Sequence, residues 1–461
     1  MHKKAIVDNN NRSQFIRQKT YFAVLKLLDT ISFEKKYPDA LLGDLFKREE
    51  FSSSEKAAIV GLTYGILRHR ARIDFIIENA SRAMILGLDQ NILNMLRICT
   101  YQAVFAQTSA IAILNNAIAL SVSQKKFSGF VKRTVEGVLR NKDEIIFPDM
   151  GKNPVEHISI YHSHPSWIVE KWLSEFREPN QVDALCLANN LEPPLTIRVN
   201  PLKTDRNTLQ SLLESEGYYS TPTVFSPFGL FVDKKEDIFK TEAFRSGLFE
   251  VQDEGSQLIT LLTGSKPGEC VIDACAGNGG KSLFLSGLMK AKGNIIALDT
   301  SKPKLANLRR RASRAGASNI KTSDIDEIHL YNGAADCVLI DAPCSGMGVF
   351  RRNPDSKWNL TREDIGELAV KQKEIIRNYS RLVKTRGRLV YATCTISREE
   401  NEEIIMAFLE KNKDFHLIPA SEVNPDIFST FTTERGFFRS LPQVHNTDGF
   451  FAALMRRAGN S

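Results

Sequence analysis

Cys344 and Cys394 each close a short apolar run: Val338-Leu339-Ile340-Asp341-Ala342-Pro343-Cys344, and Gly387-Arg388-Leu389-Val390-Tyr391-Ala392-Thr393-Cys394. Runs of this kind, bounded by Gly or Pro, read as buried parallel strands. Open parallel sheets hold ligands just beyond the carboxyl ends of their strands, so both thiols are expected at one rim. Two thiols with a carboxylate, Asp341, beside one of them suggest a particular chemistry. One sulfur adds to carbon 6 of a cytosine and turns carbon 5 into an enamine-like nucleophile, which can take a methyl group from a sulfonium. An acid near ring nitrogen 3 stabilises the adduct, and a second thiol assists release. A free thiol ionises near pH ~8.5, so the attacking cysteine needs activation by its surroundings. Taken singly, either cysteine also reads as a small buried hydrophobe; the chemistry rests on the three residues together.

The methyl donor has a candidate seat. Val271-Ile272-Asp273-Ala274-Cys275-Ala276-Gly277-Asn278-Gly279-Gly280-Lys281-Ser282 reads as strand, glycine-rich loop and helix. A phosphate-cradling loop would need Gly at position 275, where Cys275 stands, so that pattern fails. A dinucleotide fingerprint starting at Gly277 is broken at Ser282. Asp299 ends the next strand, where an acid accepts hydrogen bonds from ribose hydroxyls, and Asp324 ends the third, within reach of an adenine amine. An adenosine-containing ligand without a pyrophosphate fits these parts, and S-adenosylmethionine is such a ligand. A glycine turn that merely packs helix on strand, with both acids as helix caps, is the plainer alternative.

These segments need a framework. A chain of 461 residues suggests two or three domains. Residues 14–145 show apolar residues at helical spacing, with Ser52-Ser53-Ser54-Glu55 as a plausible helix start, and are expected to form an all-α bundle over 12–145. Phe147-Pro148-Asp149-Met150-Gly151-Lys152-Asn153-Pro154 reads as a linker, with further helices to 190. Residues 191–255 shift to short strands and form a small α+β subdomain. From 256 to 461, strands at Cys270–Cys275, Asn294–Leu298, Ile320–Ser323, Cys337–Ile340 and Arg388–Ala392 alternate with helices such as Lys302–Ala315 and Arg362–Leu382. That is a Rossmann-like, doubly wound α/β domain, and Gly449–Met455 is expected to add antiparallel strands.

Composition sets the broad class: 42% apolar and 25% charged, as in globular proteins. No stretch is long and apolar enough to span a bilayer, and Met1–Asn10 shows no secretory leader. The seven cysteines form no Cys-x-x-Cys pair and no zinc spacing, so no metal is expected and the thiols are read as reduced, those of a cytoplasmic protein. Basic residues outnumber acidic ones 22 to 15 over residues 1–150, and are balanced 39 to 39 in the remainder. A basic module joined to a neutral one suits a polyanion such as nucleic acid.

The motifs carry a resemblance. Asp273–Lys281 resembles the D-A-C-A-A-P-G-G-K motif of RNA cytosine-5 methyltransferases of the Sun/Nol/Nop type, with Gly277-Asn278 standing where that family has Ala-Pro. Asp341–Gly348, Arg351–Trp358, Tyr391–Thr395 with Glu400-Asn401-Glu402, and Thr447–Phe451 are similar to further motifs of the family. Leu62–Arg68, Leu96-Arg97 with Tyr101-Gln102, and Val138–Arg140 resemble a NusB-like RNA-binding domain. The resemblance implies that Cys394 is the nucleophile and Cys344 promotes product release. It implies that Cys275, Ala276, Gly277, Asn278, Gly279, Gly280, Lys281, Asp299, Asp324 and Asp341 line the S-adenosylmethionine pocket, with Asp341 and Lys281 also facing the cytosine. The NusB-like part favours ribosomal RNA, 16S above all, as the substrate of a monomer; transfer RNA is the alternative. Arg351, Arg352 and Lys357 are candidate contacts to RNA phosphates, and Trp358 is a candidate to stack on a base or to lie buried. Trp167, Trp172 and His445 read as structural. A non-catalytic RNA-binding assembly factor and a nicotinamide oxidoreductase are the rival classes.

Overall fold

The computed structural model describes residues 18–34, 37–82, 84–233 and 237–459. Met1–Asn10, read above for a leader, and the first residues of the expected bundle lie outside them. The chain divides into two compact units: residues 1–191 with 353–359, and residues 192–352 with 360–461.

The first unit is helical. Its helices include Gln18–Glu34, Ser53–Arg68, Arg70–Ser81, Gln90–Val104, Ala110–Leu120 and Lys125–Asn141. The start of Ser53–Arg68 is fixed by a capping box: the Ser52 side chain accepts from the Glu55 backbone, and the Glu55 side chain accepts from the Ser52 backbone. Apolar residues three and four apart, such as Val24, Leu28, Ile59, Ile66, Ile73, Ile77, Met95 and Val135, close one shared core. The segment expected as a linker is packed instead. Phe147 stacks on Phe75 at 5.3 Å and meets Tyr161 edge-on at 5.2 Å, while the Arg72 guanidinium stands over both the Phe147 and Tyr161 rings. Aromatic packing at Phe147 and Tyr161 therefore overrides the turn-forming composition around it. The helices Pro154–Tyr161, Ser166–Phe176 and Pro179–Asn190 belong to the same unit, with Trp172 buried in it.

The second unit holds two sheets. β1 (Leu195–Val199), β2 (Ser220–Pro222), β3 (Gly229–Val232) and β4 (Phe249–Val251) form an antiparallel sheet in the order β2-β3-β1-β4. The second sheet contains β5 (Cys270–Asp273), β6 (Asn294–Leu298), β7 (Ile320–Ser323), β8 (Ala335–Asp341), β9 (Val383–Thr393), β10 (Phe415–Ile418), β11 (Phe438–Ser440) and β12 (Phe450–Arg457). Its order is β10-β12-β9-β8-β5-β6-β7, with β11 on β12. The five strands from β9 to β7 are parallel, and β12 runs antiparallel to β9.

The apolar alternation along these strands explains why both faces are covered. Ile272, Val338, Ile340, Leu389 and Tyr391 pack into one core, while Val271, Cys337, Leu339, Val390 and Ala392 pack into the other. Strand order reverses between β5 and β8, which opens a crevice at their carboxyl ends. The glycine loop leaves β5 there, and the Cys344 loop leaves β8.

Gly279 begins the helix Gly280–Leu288 in a left-handed conformation with φ +82, and a Cβ on it would collide with Leu308. Gly279→Ala is expected to destabilise the protein by about 2–4 kcal/mol, combining strain and overpacking. Urea unfolding of the variant measures this.

Candidate functional site

The two sulfurs converge. Cys344 Sγ and Cys394 Sγ lie 3.4 Å apart, both half-buried and both free thiols. Each reaches the rim because it follows the end of one of two adjacent parallel strands, β8 and β9. Lys281, in the first turn of the helix after the glycine loop, reaches across to Asp341 at the end of β8, with Nζ 2.6 Å from Oδ2. Burial alone would lower the Lys281 ammonium. The charge and hydrogen bond of Asp341 outweigh it, with Asp273 and Cys394 adding to the same effect, so the group sits above its usual range and stays protonated. Its hydrogen bond to Cys394 and burial push the Cys344 thiol well up, with the Cys394 and Glu400 charges acting in the same sense. Cys344 is therefore held as S–H beside the other sulfur.

The turns carrying these thiols are tied together by residues that sequence reasoning did not place. Glu400, fully buried, accepts from the backbone N–H of Ser345 at 2.8 Å, from the Ser345 hydroxyl, from Gln372 at 3.1 Å and from the Thr395 hydroxyl at 3.2 Å. Ser345 follows Cys344 and Thr395 follows Cys394, so one carboxylate clamps both loops. Asn401 accepts from the Thr393 hydroxyl at 2.6 Å and donates to the Thr395 carbonyl at 2.9 Å, on either side of Cys394. The Gly348 N–H donates to the Cys394 carbonyl at 3.0 Å, and the Gly449 N–H donates to the Gly348 carbonyl at 2.8 Å. A side chain at either glycine would strike the other's backbone. The only trace of this scaffold in the sequence was the motif similarity at Glu400-Asn401 and at Gly449.

The glycine loop forms a cradle. A Cβ on Gly277 or Gly280 would meet nothing within 4 Å, so that side of the loop is open. Asp299 accepts from the Gly277 N–H and from the Ser301 N–H, each at 2.8 Å, and so holds the loop to the next strand. Asn278 is engaged by Asn307 and Arg311. Cys275 and Ala276 continue from β5, where burial pushes the Cys275 thiol up beyond the ordinary range. Asp273 accepts from Ser282 Oγ at 2.6 Å through one oxygen, while Oδ1 is buried without a partner. Burial raises this carboxyl to about 6. Asp324, exposed after β7, pairs with Lys302 at 3.5 Å.

The expected phosphate contacts are corrected. Arg351 is 2% exposed; it donates to Asp448 at 2.6 Å and pairs with Asp253 at 3.5 Å. Arg352 donates to the same two carboxylates. Lys357 is 1% exposed, donating to the Arg68 carbonyl at 3.0 Å and to Asn190 at 3.3 Å, and burial lowers its amine to about 7. The basic run in the sequence is thus an internal network, because partners distant in the chain fold against it. Arg351→Gln is expected to cost about 1–3 kcal/mol, because buried Asp448 loses its Arg351 donor and keeps only Arg352 as an ion-pair partner. The salt dependence of RNA binding, measured by filter retention, should keep its wild-type slope. His445 accepts from the Leu441 N–H at 3.0 Å and stacks on Phe431, a structural placement. Among the described residues no group of three His, Cys, Asp or Glu side chains forms a metal site, and no helix is long and apolar enough to cross a membrane.

Comparison with known proteins joins these pieces. Residues 260–456 match the family described as 16S rRNA methyltransferase RsmB/F, residues 164–239 match its ferredoxin-like domain, and residues 17–144 match the NusB family. The chain is 31% identical to the Bacillus subtilis protein named "Probable ribosomal RNA small subunit methyltransferase B", over 94% of this chain and 98% of that one. It is 28% identical to ribosomal RNA small subunit methyltransferase B of Proteus mirabilis, over 89% and 92%. The solved structure of PH0851 superposes with a TM-score of 0.78 at 27% identity, covering 96% of this chain and 99% of that one.

Proposed function

The chain belongs to the 16S rRNA methyltransferase RsmB/F family, and on that premise we propose that it methylates carbon 5 of a cytosine in 16S ribosomal RNA through a covalent bond from Cys394 to carbon 6. The family's methyl donor is S-adenosylmethionine, which supplies a methyl group on a cationic sulfur. The cradle fits such a ligand: the space in front of Gly277 and Gly280 is open, and the buried Oδ1 of Asp273 lacks a donor. The residues that would hold it are Cys275 to Lys281, Asp299, Asp324 and Asp341.

The observation that carries the reading is the pair of sulfurs 3.4 Å apart beside the Lys281–Asp341 ion pair. The resemblance of Tyr391–Thr395 to the family's motif points to Cys394 as the attacking sulfur, with the Cys344 thiol, pushed up, beside it. Its addition to carbon 6 drives electrons toward nitrogen 3 and oxygen 2 of the ring. Lys281, held protonated by Asp341, is the donor for that developing charge. When the carbon 5 proton passes to solvent water at the rim, its bonding pair re-forms the 5,6 double bond and the carbon 6–sulfur bond breaks, and a hydrogen bond from the Cys344 S–H stabilises the departing thiolate. The base must leave its stack to reach this rim.

The test is incubation of the protein with a 16S rRNA transcript and methyl-labelled S-adenosylmethionine, followed by digestion to nucleosides. Label is expected in 5-methylcytidine, with a transfer RNA transcript unlabelled. Label in any other nucleoside, or in the transfer RNA alone, overturns the reading. Bisulfite sequencing of RNA from a strain lacking the gene identifies the nucleotide.

A further inference from the structure

Within the helical unit lies a cavity of about 220 Å³ that the chemistry above does not use. Its walls include Trp358 and Asp355 from residues 353–359, Arg70 from the helix Arg70–Ser81, and Asn94 and Arg97 from Gln90–Val104. Its polar groups are unevenly satisfied. Arg97 is committed, donating to both oxygens of Asp74 at 2.7 and 2.8 Å and to Asn94. Asp355 is not: it is 3% exposed, yet Oδ2 has no hydrogen-bond partner. A buried acceptor left unpaired costs free energy, and native proteins rarely keep one without a use. Arg70 makes no hydrogen bond among the described residues; its guanidinium lies 5.2 Å over the Trp358 ring. The ring itself is fixed by a hydrogen bond from Nε1 to the Leu67 carbonyl at 2.7 Å.

We propose that this cavity receives one unstacked guanine of the RNA substrate. The assignment follows from what is left over: an aromatic wall, a guanidinium that donates no hydrogen bond although Asp74 attracts it, and one carboxylate oxygen without a partner. A guanine presents N1–H and N2–H donors on one edge, matching Asp355, and the O6 and N7 acceptors on another, matching Arg70. Single-stranded RNA is read in this way, by stacking on aromatic rings and hydrogen bonding to splayed bases. The volume suffices for a purine ring. Burial also raises the Asp355 carboxyl to about 6, so the folded protein carries the cost of an unpaired acceptor that a base would relieve. The inference rests on the ribosomal RNA reading for its source of guanine.

The test uses the full chain and guanosine 5′-monophosphate as ligand, followed by saturation-transfer-difference NMR, with the adenosine, cytidine and uridine monophosphates as competitors. The expected result is saturation by the guanine nucleotide at least ~10-fold stronger than by the others, lost in Asp355→Asn and Arg70→Gln and retained in Cys394→Ser. Neither of the first two variants removes a hydrogen bond to another residue, and thermal melting checks that both fold. In methylation of the 16S transcript, each should raise KM for RNA about tenfold with kcat unchanged. No guanine binding, equal binding of all four nucleotides, binding that survives Asp355→Asn, or an unchanged KM overturns the proposal and leaves a water-filled cavity. A protein that binds guanine through Asp355 but fails to methylate the transcript sinks the methylation reading and not the pocket.

Discussion

Cys394→Ala loses methyl transfer by about 10⁴-fold or more, the scale expected when a covalent route is removed outright. Cys344→Ala gives a different defect: RNA remains covalently bound to the protein and migrates with it on a denaturing gel. The asymmetry follows from the roles that the family motifs imply. Both sulfurs reach the same rim 3.4 Å apart, Cys394 as the attacking sulfur and Cys344 as the neighbour whose thiol is pushed up. Removing Cys394 removes the bond to carbon 6. Removing Cys344 leaves that bond able to form and takes away the hydrogen bond to the departing sulfur. The double variant should show neither turnover nor adduct, since no adduct forms without Cys394. Single-turnover kinetics with labelled donor separate the steps: Cys344→Ala should transfer one methyl group per protein and then stall. If Cys344→Ala turns over normally while Cys394→Ala accumulates adduct, the roles are reversed.

How far the sequence reached this site depended on the range of the interactions. Local pattern was enough for the strands that end at Asp273, Leu298 and Asp341, since a parallel strand buried on both faces is a largely apolar run. It was enough for the helix Lys302–Ala315, which carries Pro303 in its first turn and ends at Gly316. The convergence of Cys344 and Cys394 was readable because adjacency of two strand ends follows from topology. The short strands Ser220–Pro222 and Phe438–Ser440 were not readable, being too short to show alternation. The clamp at Glu400 showed only as a motif similarity, for another reason: a carboxylate in a charged stretch looks solvated until the chain brings Ser345 and Gln372 to it. Arg351, Arg352 and Lys357 failed in the same way. A run of basic residues reads as a surface, and only tertiary contact with Asp448, Asp253 and Asn190 shows that the charge is neutralised or spent internally.

Glu400→Gln is expected to lower kcat by about 10–100-fold while leaving donor binding at its wild-type level. Glu400 touches no reacting atom; it is a positioning residue that fixes both thiol loops through Ser345 and Thr395. The amide keeps the volume but offers one acceptor oxygen where the carboxylate offers two, and it turns an N–H₂ toward groups that are themselves donors. Leaving one or two of these donors unpaired costs about 1–3 kcal/mol each, visible as a lower midpoint in urea. A merely structural role would stop there. The decisive readout is the alkylation of Cys344 against pH, followed by peptide mass spectrometry. The Glu400 charge helps hold that thiol up, so neutralising residue 400 should move its alkylation profile to lower pH. Burial raises the Glu400 carboxyl itself, so its ionised form is disfavoured in the folded protein relative to the unfolded chain. The stability Glu400 contributes is therefore largest below its ordinary range and declines as pH rises through the folded value, and Glu400→Gln should flatten that decline. A Cys344 profile that stays in place in Glu400→Gln, with kcat reduced only in proportion to the folded fraction, would show that the clamp supports the fold alone.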